Sequence, residues 1–115
     1  MQFGHIELFA SNLHSSKTFY ELLGWEVTQA SDSCVWLRMG GSELLLRRGS
    51  PTNRSTEYKD TAIALVLYCD ELPQQIEKLS AQGIYPSGND GSINEPTFKD
   101  PDGYWIQIVN PADFT

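Results

Sequence analysis

Hydrophobic and polar residues alternate over residues 3–10, with His5, Glu7 and Phe9 on one side and Ile6, Leu8 and Ala10 on the other. That period of two predicts a strand. Asn12 can then cap a helix over residues 16–23, where Phe19, Tyr20 and Leu23 form an apolar stripe and Gly24 stops it. Residues 25–28 read as a strand, and 34–39 and 43–47, joined through Gly40-Gly41, read as a hairpin. The polar stretch 49–60 (GSPTNRSTEYKD) is rich in turn formers and reads as a linker. A second strand-like run follows at 61–69, then Asp70 as a helix cap and a helix over residues 73–82, with Leu72, Ile76 and Leu79 spaced for one buried face and Gly83 as its stop. Residues 86–95 (PSGNDGSINE) predict a mobile loop. Strands at 97–99 and 104–109 flank Asp100-Pro101-Asp102-Gly103, a tight turn.

The two halves therefore carry one pattern, offset by about 57 to 60 positions, and the order β-α-β-β-β is written twice. Neither half is large enough to bury a core alone, but 115 residues suffice for one domain. The expectation is an α+β domain over residues 1–115, with a first module at about 1–48, the linker, and a second module at about 61–115.

Composition narrows the function. The formal net charge is −7 and the longest basic run is Arg47-Arg48, so the electrostatic footprint of a nucleic-acid binder is missing. No stretch approaches the roughly 18 apolar residues that span a bilayer, and the N-terminal residues lack a basic region and cleavage site. Cys34 and Cys69 form no CxxC, which argues against a zinc knuckle or redox dithiol and leaves one disulfide open. These features predict a cytoplasmic protein with neither membrane nor nucleic acid as partner.

Three segments carry a family likeness. They are His5-Ile6-Glu7-Leu8, the run from Ser16 to Trp25 (SKTFYELLGW), and the run from Phe98 to Ile108 (FKDPDGYWIQI). They resemble the vicinal oxygen chelate superfamily, which contains glyoxalase I, extradiol dioxygenases, fosfomycin resistance enzymes and bleomycin resistance proteins. The resemblance implies two βαβββ modules forming a curved mixed sheet with helices on its convex side. In metal-dependent members, four side chains in two pseudo-symmetric pairs hold a divalent ion. Carried over, the first-strand pair is His5 and Ala62, and the last-strand pair is Arg47 and Gln107. Glu43 and Leu45 share the strand parity of Arg47, so a register slip of the strand 43–48 would exchange them; matching Leu45 to Trp105 favours Arg47.

A site for Ni, Zn or Fe needs neutral imidazoles and ionised carboxylates. Ala62 supplies nothing, Gln107 offers a neutral amide oxygen, and Arg47 brings a positive charge. At an effective dielectric near 20, two like unit charges ~4 Å apart cost roughly 4 kcal/mol, and a dication doubles that. The ligand set is incomplete, which favours a binding protein over an enzyme and predicts no cofactor.

With strand parity set by His5 and Gln107, one face should present Glu7, Trp36, Arg38, Arg47, Ala64, Trp105 and Gln107, while Val35, Leu37, Met39, Leu44 and Leu46 pack under the helices. Two indoles with oriented polar groups suit a small-molecule site. The expected ligand-binding residues are His5, Glu7, Trp36, Arg38, Arg47, Trp105 and Gln107. The run from Trp36 to Leu46 also looks like the hairpin of bleomycin resistance proteins, which implies a homodimer with an antibiotic-like or aromatic ligand held at its interface. The alternative is a lyase or dioxygenase of the same superfamily, dependent on Zn, Ni, Mn or Fe held by His5, Glu43 and Gln107. A third reading has another protein covering the tryptophan face.

Overall fold

The computed structural model describes residues 1–53, 55–89 and 95–114. The chain divides into two compact units, Met1–Thr52 and Asn53–Thr115. The first holds β1 (Ile6–Ala10), α1 (Leu13–Leu22), β2 (Glu26–Ala30), β3 (Cys34–Met39) and β4 (Ser42–Arg48). The second holds β5 (Ala64–Tyr68), α2 (Leu72–Ala81), β6 (Gly88–Asn89), β7 (Pro96–Lys99) and β8 (Trp105–Val109). Each forms a four-stranded mixed sheet, ordered β1-β4-β3-β2 in one and β5-β8-β7-β6 in the other. The α+β fold of two βαβββ modules is borne out.

Local chemistry accounts for the helix ends. Asn12 is the N-cap of α1, its side-chain oxygen accepting the Ser15 backbone N–H at 3.0 Å, so the helix starts at Leu13, three residues earlier than the apolar stripe suggests. Both helices stop in the same motif. Trp25 N–H reaches the Tyr20 carbonyl (3.0 Å) and Gly24 N–H that of Glu21 (3.0 Å); Ile84 N–H reaches Leu79 (2.9 Å) and Gly83 N–H reaches Ser80 (3.0 Å). This paired closure needs a left-handed residue at its corner, and Gly24 (φ 110) and Gly83 (φ 84) supply it. The start of α2 differs from expectation. Glu71, not Asp70, occupies the cap position and makes no side-chain capping bond, while the Asp70 carbonyl accepts from Asn110 Nδ2 at 3.4 Å. Pro73 in the first turn needs no N–H partner there, which lets the helix begin without a cap.

Burial follows strand parity. In the first unit Leu8, Ala10, Val35, Leu37, Leu44 and Leu46 are buried on the face that α1 covers, with Leu13, Ser16 and Tyr20 buried from the helix. In the second, all five residues of β8 are buried. Cys34 and Cys69 are both free thiols. Part of the stretch expected as a mobile loop pairs as β6, Gly88 with Thr97 and Asn89 with Pro96, while residues 90–94 lie outside the described residues. No described helix is long and apolar enough to cross a membrane.

Candidate functional site

The ladders settle the strand register. In the first unit β1 runs parallel to β4 with Glu7 beside Leu45 and Phe9 beside Arg47; in the second β5 runs parallel to β8 with Ala64 beside Trp105 and Val66 beside Gln107. Phe9 and Val66 are 57 positions apart, and Arg47 and Gln107 are 60 apart. The two last-strand positions are therefore equivalent within their sheets, and Glu43 lies four residues earlier, across from Arg38.

On the first sheet, Glu7, Trp36, Arg38 and Arg47 share the face opposite α1. Trp36 lies across from Leu45, which is buried, and its indole meets the His5 ring edge-on, with centroids 4.6 Å apart and planes at 68°. Arg47 donates from Nε to Glu7 Oε1, forming an ion pair across neighbouring strands. The hydrogen bond and then the negative charge of Glu7 raise the Arg47 pKa above its already high ordinary value. Because the Arg47 side chain is half exposed, with 51% of its surface accessible, water screens the pair. His5, Glu7 and Arg38 are also exposed.

The second sheet carries the matching row, Ala64, Trp105 and Gln107, in a different setting. Trp105 is 1% exposed and Gln107 8%. Part of the stretch read from its polarity as a linker packs here: Asn53 and residues 55–60 belong to this unit. Tyr58, in a 3₁₀ turn over Tyr58–Asp60, sets its ring edge-on to Trp105 with centroids 5.7 Å apart, and its hydroxyl lies 3.4 Å from Gln107 Oε1. Trp105 Nε1–H donates to Ser55 Oγ at 3.1 Å, and the Lys99 ammonium stands 4.8 Å from the centre of the Trp105 ring. Gln107 Nε2 points at the Glu95 carbonyl, 3.5 Å away. At the root of the stretch, Asn53 Nδ2 donates to the Asp102 carbonyl at 3.0 Å, on a turn that Asp100 ties by accepting the N–H groups of Asp102 and Tyr104, each at 2.9 Å.

One polar atom in this row is unsatisfied. Thr97 pairs with Gln107 in the ladder and is fully buried, and its hydroxyl has no hydrogen-bond partner among the described residues. Leaving such a group dry costs about 1–3 kcal/mol.

Sequence reasoning missed Tyr58, Ser55 and Lys99. The signal available was a tyrosine inside an otherwise polar stretch, but composition does not say where a loop docks. Among the described residues, no three His, Cys, Asp or Glu side chains come together as metal ligands.

The model of the Glyoxalase/Bleomycin resistance protein/Dioxygenase superfamily matches residues 2–108. No curated protein matches by sequence. Among solved structures, a mutant of the fosfomycin resistance protein FosX from Listeria monocytogenes, complexed with Mn(II) and 1S,2S-dihydroxypropylphosphonic acid, is similar at 16% identity and a TM-score of 0.76, covering 94% of this chain and 88% of that one. A bleomycin-binding protein complexed with bleomycin is similar at 16% identity and a TM-score of 0.67, covering 96% and 98%. A lactoylglutathione lyase from Agrobacterium tumefaciens reaches 18% identity and a TM-score of 0.70, covering 96% and 95%. At these identities the likeness carries the fold alone, and with the family match over nearly the whole length it shows that the chain belongs to the glyoxalase, bleomycin resistance protein and dioxygenase superfamily.

Proposed function

We propose that this protein binds a small aromatic or antibiotic-like molecule without a metal ion. The observation that carries the reading is the state of the two equivalent last-strand positions. Arg47 presents a cation already paired with Glu7, and Gln107 presents an amide whose oxygen faces the Tyr58 hydroxyl. With Ala62 offering no donor, the side chains assigned by family likeness do not fit a dication, which asks for carboxylates and neutral imidazoles. His5, with its ring against Trp36, is the one strong donor of the set.

The recognition surface of the first module is Trp36 with Arg38, Arg47 and Glu7. An indole offers a flat face for stacking, and guanidinium groups bind carboxylate or phosphate in a fork. A bleomycin-binding protein of the same fold supports the drug-binding reading, and exposed apolar side chains on β1 and β5, Phe9 (43%), Val66 (46%) and Tyr68 (69%), support the homodimer.

The test is a thermal-shift screen in chelator paired with metal analysis of the native protein. The expected result is a ligand that raises Tm with no metal added. Stoichiometric Mn, Zn, Ni or Fe in the purified protein, with ligand binding lost on its removal, would overturn the reading and favour a lyase or dioxygenase. The Mn(II)-bound FosX neighbour is the observation that keeps this second reading in view.

A further inference from the structure

We propose that the Trp105 face of the second module is a seat for a phenolic ring, filled by the chain's own Tyr58, which an aromatic ligand must displace. This rests on the small-molecule reading above and adds the ligand class and the gate.

Tyr58 occupies the seat as a bound phenol would. Its ring meets Trp105 edge-on at 5.7 Å and 78°, and its hydroxyl faces the Gln107 amide oxygen. An aromatic wall with one oriented acceptor is the composition of a small-molecule site. The hold is loose. At 3.4 Å the Tyr58–Gln107 contact is long beside the roughly 2.7–2.8 Å usual for O–H···O bonds. Tyr58 sits in a three-residue 3₁₀ turn whose leading residue, Glu57, makes no side-chain capping bond, and Thr56, Glu57, Lys59 and Asp60 are all exposed. Such a segment belongs to the low-stability end of a fold and can open without unfolding the sheet.

A further observation points the same way. The fold does not demand the cover, because Arg47, equivalent to Gln107 in its sheet, is exposed.

The probe is p-cresol, the tyrosine side chain as a free molecule, titrated in chelator into the unchanged chain and into Tyr58→Gly. The readout is the Trp105 indole N–H resonance, assigned with Trp105→Phe. We expect p-cresol to shift that resonance in Tyr58→Gly and to bind it about tenfold tighter than the unchanged chain, a difference set by the work of displacing the turn. Toluene, lacking the hydroxyl, should bind more weakly than p-cresol. A Trp105 resonance unmoved both in chelator and with added metal, or equal affinity in the two proteins, overturns the proposal.

If Tyr58→Gly does not fold, amide exchange in the unchanged chain gives the answer. Saturating p-cresol should speed exchange over residues 55–60, because ligand and turn compete, and unchanged or slower exchange overturns the seat. Failure of the two readings can be told apart. A p-cresol shift at Trp105 that appears only with added metal supports the seat and sinks metal-free binding. A ligand from the metal-free screen, with p-cresol leaving Trp105 unmoved, preserves that reading and sinks the seat.

Discussion

The two modules share a sheet order, a helix stop and an inter-strand register, yet they finish their equivalent faces in opposite ways. In the first, Glu7, Arg38 and Arg47 are exposed and Trp36 is half-buried. In the second, Trp105 and Gln107 are buried beneath Tyr58 and Ser55. A repeat thus fixes where side chains stand but not what covers them. The covering segment comes from residues 55–60, whose counterpart is absent from the βαβββ pattern itself. One scaffold has in this way produced a solvated polar-aromatic surface and a closed aromatic seat.

The largest expected effect tests this contrast at the two tryptophans. Trp105→Ala should destabilise the protein by about 3–5 kcal/mol, the range for removing a buried tryptophan, because it empties a site walled by Tyr58, Lys99 and Ser55. Trp36→Ala should cost about 1 kcal/mol, since its indole is part exposed and rests on the His5 ring. Urea unfolding of both variants measures the difference. Equal losses would mean that the two faces are packed alike.

Next come the polar atoms of the closed face. Gln107→Leu leaves the Tyr58 hydroxyl and the Glu95 carbonyl without their amide partner and should cost about 1–2 kcal/mol. Arg47→Leu at the equivalent position should leave stability unchanged within error, because water already solvates that side chain. Thr97→Val should go the other way. Valine keeps the shape and removes a buried hydroxyl that has no described partner, so a gain of about 1 kcal/mol is expected. A loss of that size in Thr97→Val would show that the hydroxyl is satisfied in solution.

Much of this molecule was legible in its sequence. Alternation located β3 at Cys34–Met39, and glycines marked both helix stops because only a residue at ease with positive φ closes that motif. The equivalence of Arg47 and Gln107 could be read from the repeat, since β parity allows few registers. The cover was not legible. A polar run announces a loop, while its docking depends on one ring meeting another 47 positions away, and no periodicity encodes that meeting. The start of α2 differs as well: Asp70 has the chemistry of a cap, but Glu71 takes the position without a side-chain capping bond.

The smallest effect on stability belongs to the open face, at the Arg47–Glu7 pair. Glu7 raises the Arg47 pKa, so on the alkaline side the pair's contribution is fully present below arginine's unfolded value and is lost as pH rises through the raised folded one. Through the neutral range it is constant. Glu7→Gln should therefore leave both the urea midpoint and its pH dependence between about pH 6 and 9 unchanged. Its consequence lies in binding. With the carboxylate gone, the Arg47 guanidinium loses its internal partner and becomes available to an anionic one, next to a strand that carries Trp36. Benzoate, which pairs an aromatic ring with a carboxylate, should bind Glu7→Gln more tightly than the unchanged chain, and added salt should narrow the gap. Unaltered benzoate affinity would mean that Glu7 does not restrain Arg47, and the open face would then owe its recognition to Trp36 and Arg38 alone.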